Sequence, residues 1–186
     1  MKLFYDCEFI DDGRTIDLVS IGVVAEDGQE YYAVSSEFDR WRFGTSAWLV
    51  KNVLPGLPTT WDIPWIPHGP LETTIILPGL DLRDPVVKTR AEIADDMERF
   101  ILSFDEPELW AWYGAYDHVA LAQLFGSMVN LPRGIPMYTN DLKQECDRLG
   151  NPRVPEQRKG QHNALEDARH NRDIHDFLRD YERNHR

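Results

Sequence analysis

The chain has 186 residues, 42% of them hydrophobic and 11% aromatic, and carries a formal net charge of −12. That length suits one globular domain with a sheet and helices laid on it, and the absence of a run of about eighteen apolar residues excludes a membrane-spanning helix. Two cysteines, Cys7 and Cys146, make no disulfide framework; with no export signal visible, a soluble protein of the reducing cytoplasm is expected.

The first seven-residue stretch, 3–9 (LFYDCEF), reads as a buried strand that carries two acids. Alternate side chains of a strand share a face, so Asp6 and Glu8 converge on one side while Tyr5, Cys7 and Phe9 take the other. Two like charges at roughly 5 Å and an effective dielectric of about 20 repel by about 3 kcal/mol, so the pair favours a cation between its members. Mg²⁺ is the first candidate, because it takes hard oxygen ligands. The same spacing at Asp96 and Glu98, and at Asp180 and Glu182, falls in segments of helical period, where residues two apart diverge.

Residues 11–13 predict a turn and 16–25 a buried second strand. Asp27-Gly28 then predicts a tight hairpin into a third strand over 29–36, completing an antiparallel meander. From about 39 to 87 the pattern dissolves into tryptophans and prolines. This insertion is expected to be a long packed loop covering one face of the core, with a short helix over 46–53 and a strand over 73–77.

Thr89 and Glu92 form a capping box for a helix that runs to about 103. Residues 108–113 (ELWAWY) predict a strand, with Trp110 and Trp112 expected in the core. Gly114 turns the chain sharply into a helix that opens on Tyr116, Asp117 and His118, and α/β folds place site residues at such strand-to-helix junctions. A short strand over 136–139, a helix capped by Asn140 and a polar loop over 150–161 follow. A capping box of Asn163 and Glu166 then opens a last helix from 164 to about 181. His162 and Asp167 stand where that loop enters the helix. A second His-x-x-x-x-Asp pair, His175 and Asp180, lies mid-helix on a face expected to be solvated. Taken singly, Asp117 is equally an N-cap and Asp167 a first-turn acid favoured by the helix dipole.

In order and in context, Asp6, Glu8, Asp117, His162 and Asp167 resemble the motifs of the DEDDh 3′-to-5′ exonucleases. Segments 4–35, 108–126 and 162–174 look like the actinobacterial polyadenylate-specific exoribonucleases within that family. The resemblance spans nearly the whole chain. It implies an RNase H-like α/β fold, with a mixed central sheet begun by the meander and helices on both faces. It also implies two Mg²⁺ ions, with Mn²⁺ able to substitute, held by Asp6, Glu8, Asp117 and Asp167, and His162 as general base. Single-stranded RNA 3′ ends, adenylate tails in particular, would be the substrate, and a homodimer the assembly. Short oligoribonucleotides, transfer RNA tails, DNA ends and a non-catalytic RNA-binding module are the alternatives.

A molecule of this charge repels polyanions at long range, so bound metal ions and a local basic patch would have to attract RNA. Arg153, Arg158 and Lys159 in the polar loop are the candidates for phosphate contacts. Phe9 and Tyr116 are candidates for stacking on bases, and Ser20 can approach a nucleotide from the second strand.

Overall fold

The computed structural model describes residues 1–66 and 76–185. Three antiparallel strands open the chain: β1 (Lys2–Asp11), β2 (Ile16–Ala25) and β3 (Glu30–Ser35). The β2–β3 hairpin closes at Gly28, whose φ of 90° needs a residue without a Cβ, while the Asp27 carboxylate accepts from the Gln29 amide.

Among its described residues the insertion is folded rather than a loop. It forms α1 (Arg40–Thr45), α2 (Ala47–Asn52) capped by Ser46, a 3-10 turn (Leu54–Gly56), and a separate hairpin of β4 (Thr59–Trp65) and β5 (Leu77–Leu80). Pro64 and Pro78 sit in these strands, each of which has one neighbour among the described residues. Of the strand expected over 73–77, residues 73–75 lie outside the described residues. Phe43, Leu49, Val53 and Leu57 pack with Val19 of β2 and Val34 of β3, so the insertion extends the core over one end of the sheet.

β6 (Val87–Lys88) adds a parallel edge to β3 and leads into α3 (Arg90–Leu102), whose predicted Thr89–Glu92 capping box is present. β7 (Glu108–Ala111) pairs parallel to β1 and is two residues shorter than expected; Trp112 and Tyr113 leave the sheet, Tyr113 with a φ of 56°. α4 (Ala115–Gln123) follows at once. The strand expected over 136–139 is instead β8 (Asn140–Asp141), and Asp141, not Asn140, caps α5 (Leu142–Arg148). Asn140 is unavailable as a cap because its amide donates to the Leu109 carbonyl (3.1 Å) where β8 joins β7. α6 (Ala164–His185) closes the chain, one turn longer than predicted.

The main sheet has the order β6-β3-β2-β1-β7-β8, and β2 alone runs against the others. This is the strand order and sense of an RNase H-like fold with an extra edge strand. α3 and α4 cover one face, packing Ile93, Met97 and Leu121 against Tyr5, Cys7, Ile21 and Val23. α6 covers the other. His175 is buried there at 8% exposure, between the rings of Phe4 (5.0 Å) and Trp110 (5.1 Å), and is not on a solvated face as expected.

Two contacts seat α6. The Asn171 amide donates to the Tyr5 carbonyl (3.0 Å), spending a β1 acceptor on the helix. Gly22, opposite Asp6 in the β1–β2 register, lies directly under the first turn, where a Cβ would come within 2.4 Å of backbone atoms of Ala164 and Leu165. Backbone cannot yield as a side chain can. Gly22→Ala is therefore expected to destabilise the protein by at least about 1–3 kcal/mol and to push the start of α6 outward. Urea unfolding measures the loss, and an unchanged midpoint would show that the contact is looser than it stands here.

Candidate active site

The site forms because the β1–β7 ladder stops early. Pairing runs from Lys2↔Glu108 to Phe4↔Trp110, and beyond it the carboxyl ends of the two parallel strands separate. The Cys7 amide, left without a strand partner, donates to Asp117 Oδ1 (2.8 Å), which draws the first turn of α4 over the strand end. Asp141 Oδ2 accepts from the Gly114 amide (3.1 Å) while its Oδ1 caps α5, so one carboxylate ties the starts of both helices together. Thr139 Oγ1, bonded to the Tyr5 hydroxyl and to His118 Nδ1, holds α4 from the other side.

Asp167 arrives on α6. Its Oδ2 accepts from the His162 amide (2.8 Å), and His162 has a φ of 64°, so the carboxylate pins the last loop residues in a left-handed turn. Asn163 Oδ1 caps the helix by accepting from the Glu166 amide (3.2 Å); the Glu166 carboxylate turns to Arg169 instead of closing the expected box. One ligand atom each from Glu8, His162 and Asp167 lies within 4.8 Å of the other two.

Asp6, Glu8, Asp117, His162 and Asp167 all line one cavity of about 230 Å³, with Phe9, Trp112 and Tyr116. Phe9 leaves the bulged end of β1 on the side opposite Glu8, and its ring lies nearly parallel to Tyr116, at 6.1 Å and 20°. Ser20 faces Glu8 across the β1–β2 ladder, yet it is 1% exposed and lies beneath the site rather than in it. Arg158 lines a separate cavity with Arg153 and Phe177, and Lys159 is exposed on the loop. Neither borders the acids, and Arg153 is paired with Glu156. The loop's charges thus point away from the site while its amides, Gln157 and Gln161, point in.

Trp112, Trp48 and Gln157 were not among the site residues expected from the sequence. Trp112 was expected in the core, but the early end of β7 turns it into the cavity wall. Trp48 of α2 meets the His162 imidazole in a T-shaped contact, 4.8 Å between centroids. Asn163 adds a hydrogen bond to the Gly56 carbonyl (3.3 Å), so the insertion braces the loop that carries His162.

Burial and mutual repulsion hold these acids far from their ordinary range. The Glu8 carboxyl is pushed up to about 8 by burial, with Asp167 and Asp117 adding to the shift. Asp117 rises to about 7, mostly through burial, against the lowering effect of the Cys7 amide. Burial, with Asp117, Asp167 and Glu8 adding to it, raises Asp6 well above its ordinary value, and burial raises Asp167. Among the described residues, no lysine or arginine lines the cavity. The cluster is short of positive charge, and its carboxylate oxygens and imidazole are a donor set that fits Mg²⁺ or Mn²⁺.

An acid cluster of this kind, at the carboxyl ends of parallel strands, is the site of an α/β enzyme. No family model matches the chain. Two curated proteins named 3′-5′ exoribonuclease, from Mycobacterium tuberculosis strains CDC 1551 / Oshkosh and ATCC 25618 / H37Rv, are each 46% identical to it over 171 residues, covering 91% of this chain and 88% of theirs. A solved structure of S. pombe Pop2p, in a form with Mg²⁺ and Mn²⁺ bound, aligns with 96% of this chain and 81% of its own at 12% identity and a TM-score of 0.47. The chain belongs to the 3′-5′ exoribonuclease family of its mycobacterial relatives.

The raised carboxyls set a pH dependence. A group whose pKa is higher folded than unfolded contributes stability that is complete below the unfolded value, about 4, and lost as pH rises through the folded one. For Glu8 and Asp117 that window runs from about pH 4 to pH 8. Metal-free protein should therefore show a Tm that falls from pH 5 to pH 8, and added Mn²⁺ should raise Tm more at pH 8 than at pH 5. A flat profile in scanning calorimetry would contradict the repulsion inferred here.

Proposed function

We propose that the protein removes nucleoside 5′-monophosphates one at a time from the 3′ end of single-stranded RNA, with divalent cations held by Asp6, Glu8, Asp117 and Asp167. The observation that carries this reading is the convergence of those four acids and His162 on one cavity that no lysine or arginine lines among the described residues. The naming of its relatives as 3′-5′ exoribonucleases supports the substrate class. Segment-level likeness to polyadenylate-specific enzymes supports a preference for adenylate tails.

Each residue has a part that its environment favours. Bound divalent cations would neutralise the four carboxylates, draw charge off the scissile phosphate and acidify the attacking water. His162, which lines the cavity, would accept the proton from that water, and the Trp48 ring packed against it restricts how the imidazole can turn. Asp167 orients the same residue through its backbone amide. Asp117 is kept in place by the Cys7 amide whatever its charge. The near-parallel rings of Phe9 and Tyr116 offer stacking faces to the base at the 3′ end, and stacking needs no positive surface. That matters in a molecule with 32 acidic and 20 basic residues, in which Arg42, Arg83, Arg90, Arg148 and Arg169 are all engaged in ion pairs.

The reading is tested on 3′ ends of A, U, C and G, as RNA and DNA, with Mg²⁺, Mn²⁺ or chelator. Metal-dependent release of AMP from RNA ahead of the other nucleotides is expected. Equal rates on all bases would remove the adenylate claim, and no release with any ion would remove the hydrolase. Asp167→Asn keeps an oxygen for the His162 amide while deleting the charge, so it should fold normally yet lose roughly a hundredfold or more in kcat/KM. Undiminished activity would show that Asp167 holds no ion.

A further inference from the structure

Behind the acids, three side chains form a chain of hydrogen bonds whose ends flank two of the proposed cation ligands. Tyr5 precedes Asp6 on β1, and its fully buried ring points to the opposite face of the sheet, where its hydroxyl bonds Thr139 Oγ1. The same oxygen bonds Nδ1 of His118 (3.1 Å), the residue after Asp117 on α4. Packing leaves Thr139 little freedom, since a Cβ on Gly114 would come within 2.7 Å of its methyl group. One hydroxyl thus links the strand that carries Asp6 to the helix that carries Asp117.

That link works against a repulsion. The Asp117 charge acts on Asp6, so with no cation between them the two carboxylates tend to part α4 from β1. Cys7 also ties the strand to this turn: its amide donates to Asp117 Oδ1 (2.8 Å), and its thiol donates to the Asp117 carbonyl (3.9 Å). The first bond uses the carboxylate that a cation would share, and a thiol is a weak donor. The Tyr5–Thr139–His118 chain uses no carboxylate, so it can hold the helix in the same place whether or not an ion is bound.

We infer that Tyr5, Thr139 and His118 are positioning residues that set the spacing of Asp6 and Asp117 before a divalent cation binds, so that the site need not close around the ion. The inference rests on the reading of the acids as a divalent-cation site. Its consequence is a gain in affinity, because a site already in its binding geometry spends nothing on drawing α4 inward as the ion enters. A chain that served folding alone would leave the affinity of the native protein for the ion unchanged.

The test is a calorimetric titration of Mn²⁺ into metal-free wild-type protein and into Thr139→Val, Thr139→Ser and Tyr5→Phe. Thr139→Val keeps the shape but deletes both hydrogen bonds, and should weaken Mn²⁺ binding roughly threefold to tenfold. Thr139→Ser keeps the hydroxyl and should stay within about twofold of wild type, while Tyr5→Phe, which removes one oxygen from the far end of the chain, should weaken binding about threefold. Equal weakening in Thr139→Val and Thr139→Ser would overturn the inference, as would wild-type affinity in Thr139→Val. Should Thr139→Val fail to fold, Tyr5→Phe decides alone, and wild-type affinity there overturns it. Wild-type protein that binds no Mn²⁺ saturably would instead overturn the cation reading, and the inference with it.

Discussion

The site depends on how closely the first turn of α6 approaches the sheet at Gly22. A glycine opposite Asp6 lets helix backbone rest on β2, at a distance no other residue would permit. Asn171, two turns along, locks the same helix to the carbonyl of Tyr5. With α6 seated this low, Asp167 is delivered to the face of β1 that carries Asp6 and Glu8, and its hydrogen bond to His162 shapes the loop above. Asp117 comes from the opposite layer and is held by an amide that exists only because β1 and β7 have parted. Two helices from two faces thus meet over one strand end.

What results is stable only at an electrostatic cost. Buried carboxylates repel one another and are raised toward neutrality, Glu8 to about 8 and Asp117 to about 7. An apolar cluster of the same shape would avoid that cost, so the acids are better explained by a charge the protein does not itself provide. The surface agrees with this. Strongly acidic overall, the molecule offers a polyanion little at long range, so under the proposed function its attraction for RNA is local: cations at the acids, and aromatic faces on Phe9 and Tyr116.

Much of this was legible in the chain itself. Strand alternation placed Asp6 and Glu8 together and Phe9 opposite, because period two survives to the bulge after Glu8. Turn chemistry at Asp27-Gly28 and the cap at Thr89 act over a few residues and were read correctly. The failures are long-range. β5 is made by packing Leu77 and Leu80 with the residues of β1–β3, and β4 by pairing with β5, rather than by their own periodicity, with prolines in both strands obscuring it. Trp48 meets His162 across more than a hundred residues. Positive charge in the 150–161 loop suggested phosphate contacts, but only the three-dimensional course of the loop shows its arginines turned outward and its glutamines inward. His175 was misjudged because a helix with so much charge hides how wide its buried stripe is.

The central claim is that the acid cluster is built for divalent cations, and calorimetry tests it most directly. Mn²⁺ would be titrated into metal-free protein at pH 7, in two buffers of different ionisation enthalpy. The account predicts saturable binding coupled to net proton release, since an ion entering the site displaces protons held by Glu8 and Asp117, and it predicts that Asp6→Ala loses both. Binding without proton release, or binding that survives Asp6→Ala unchanged, would contradict it.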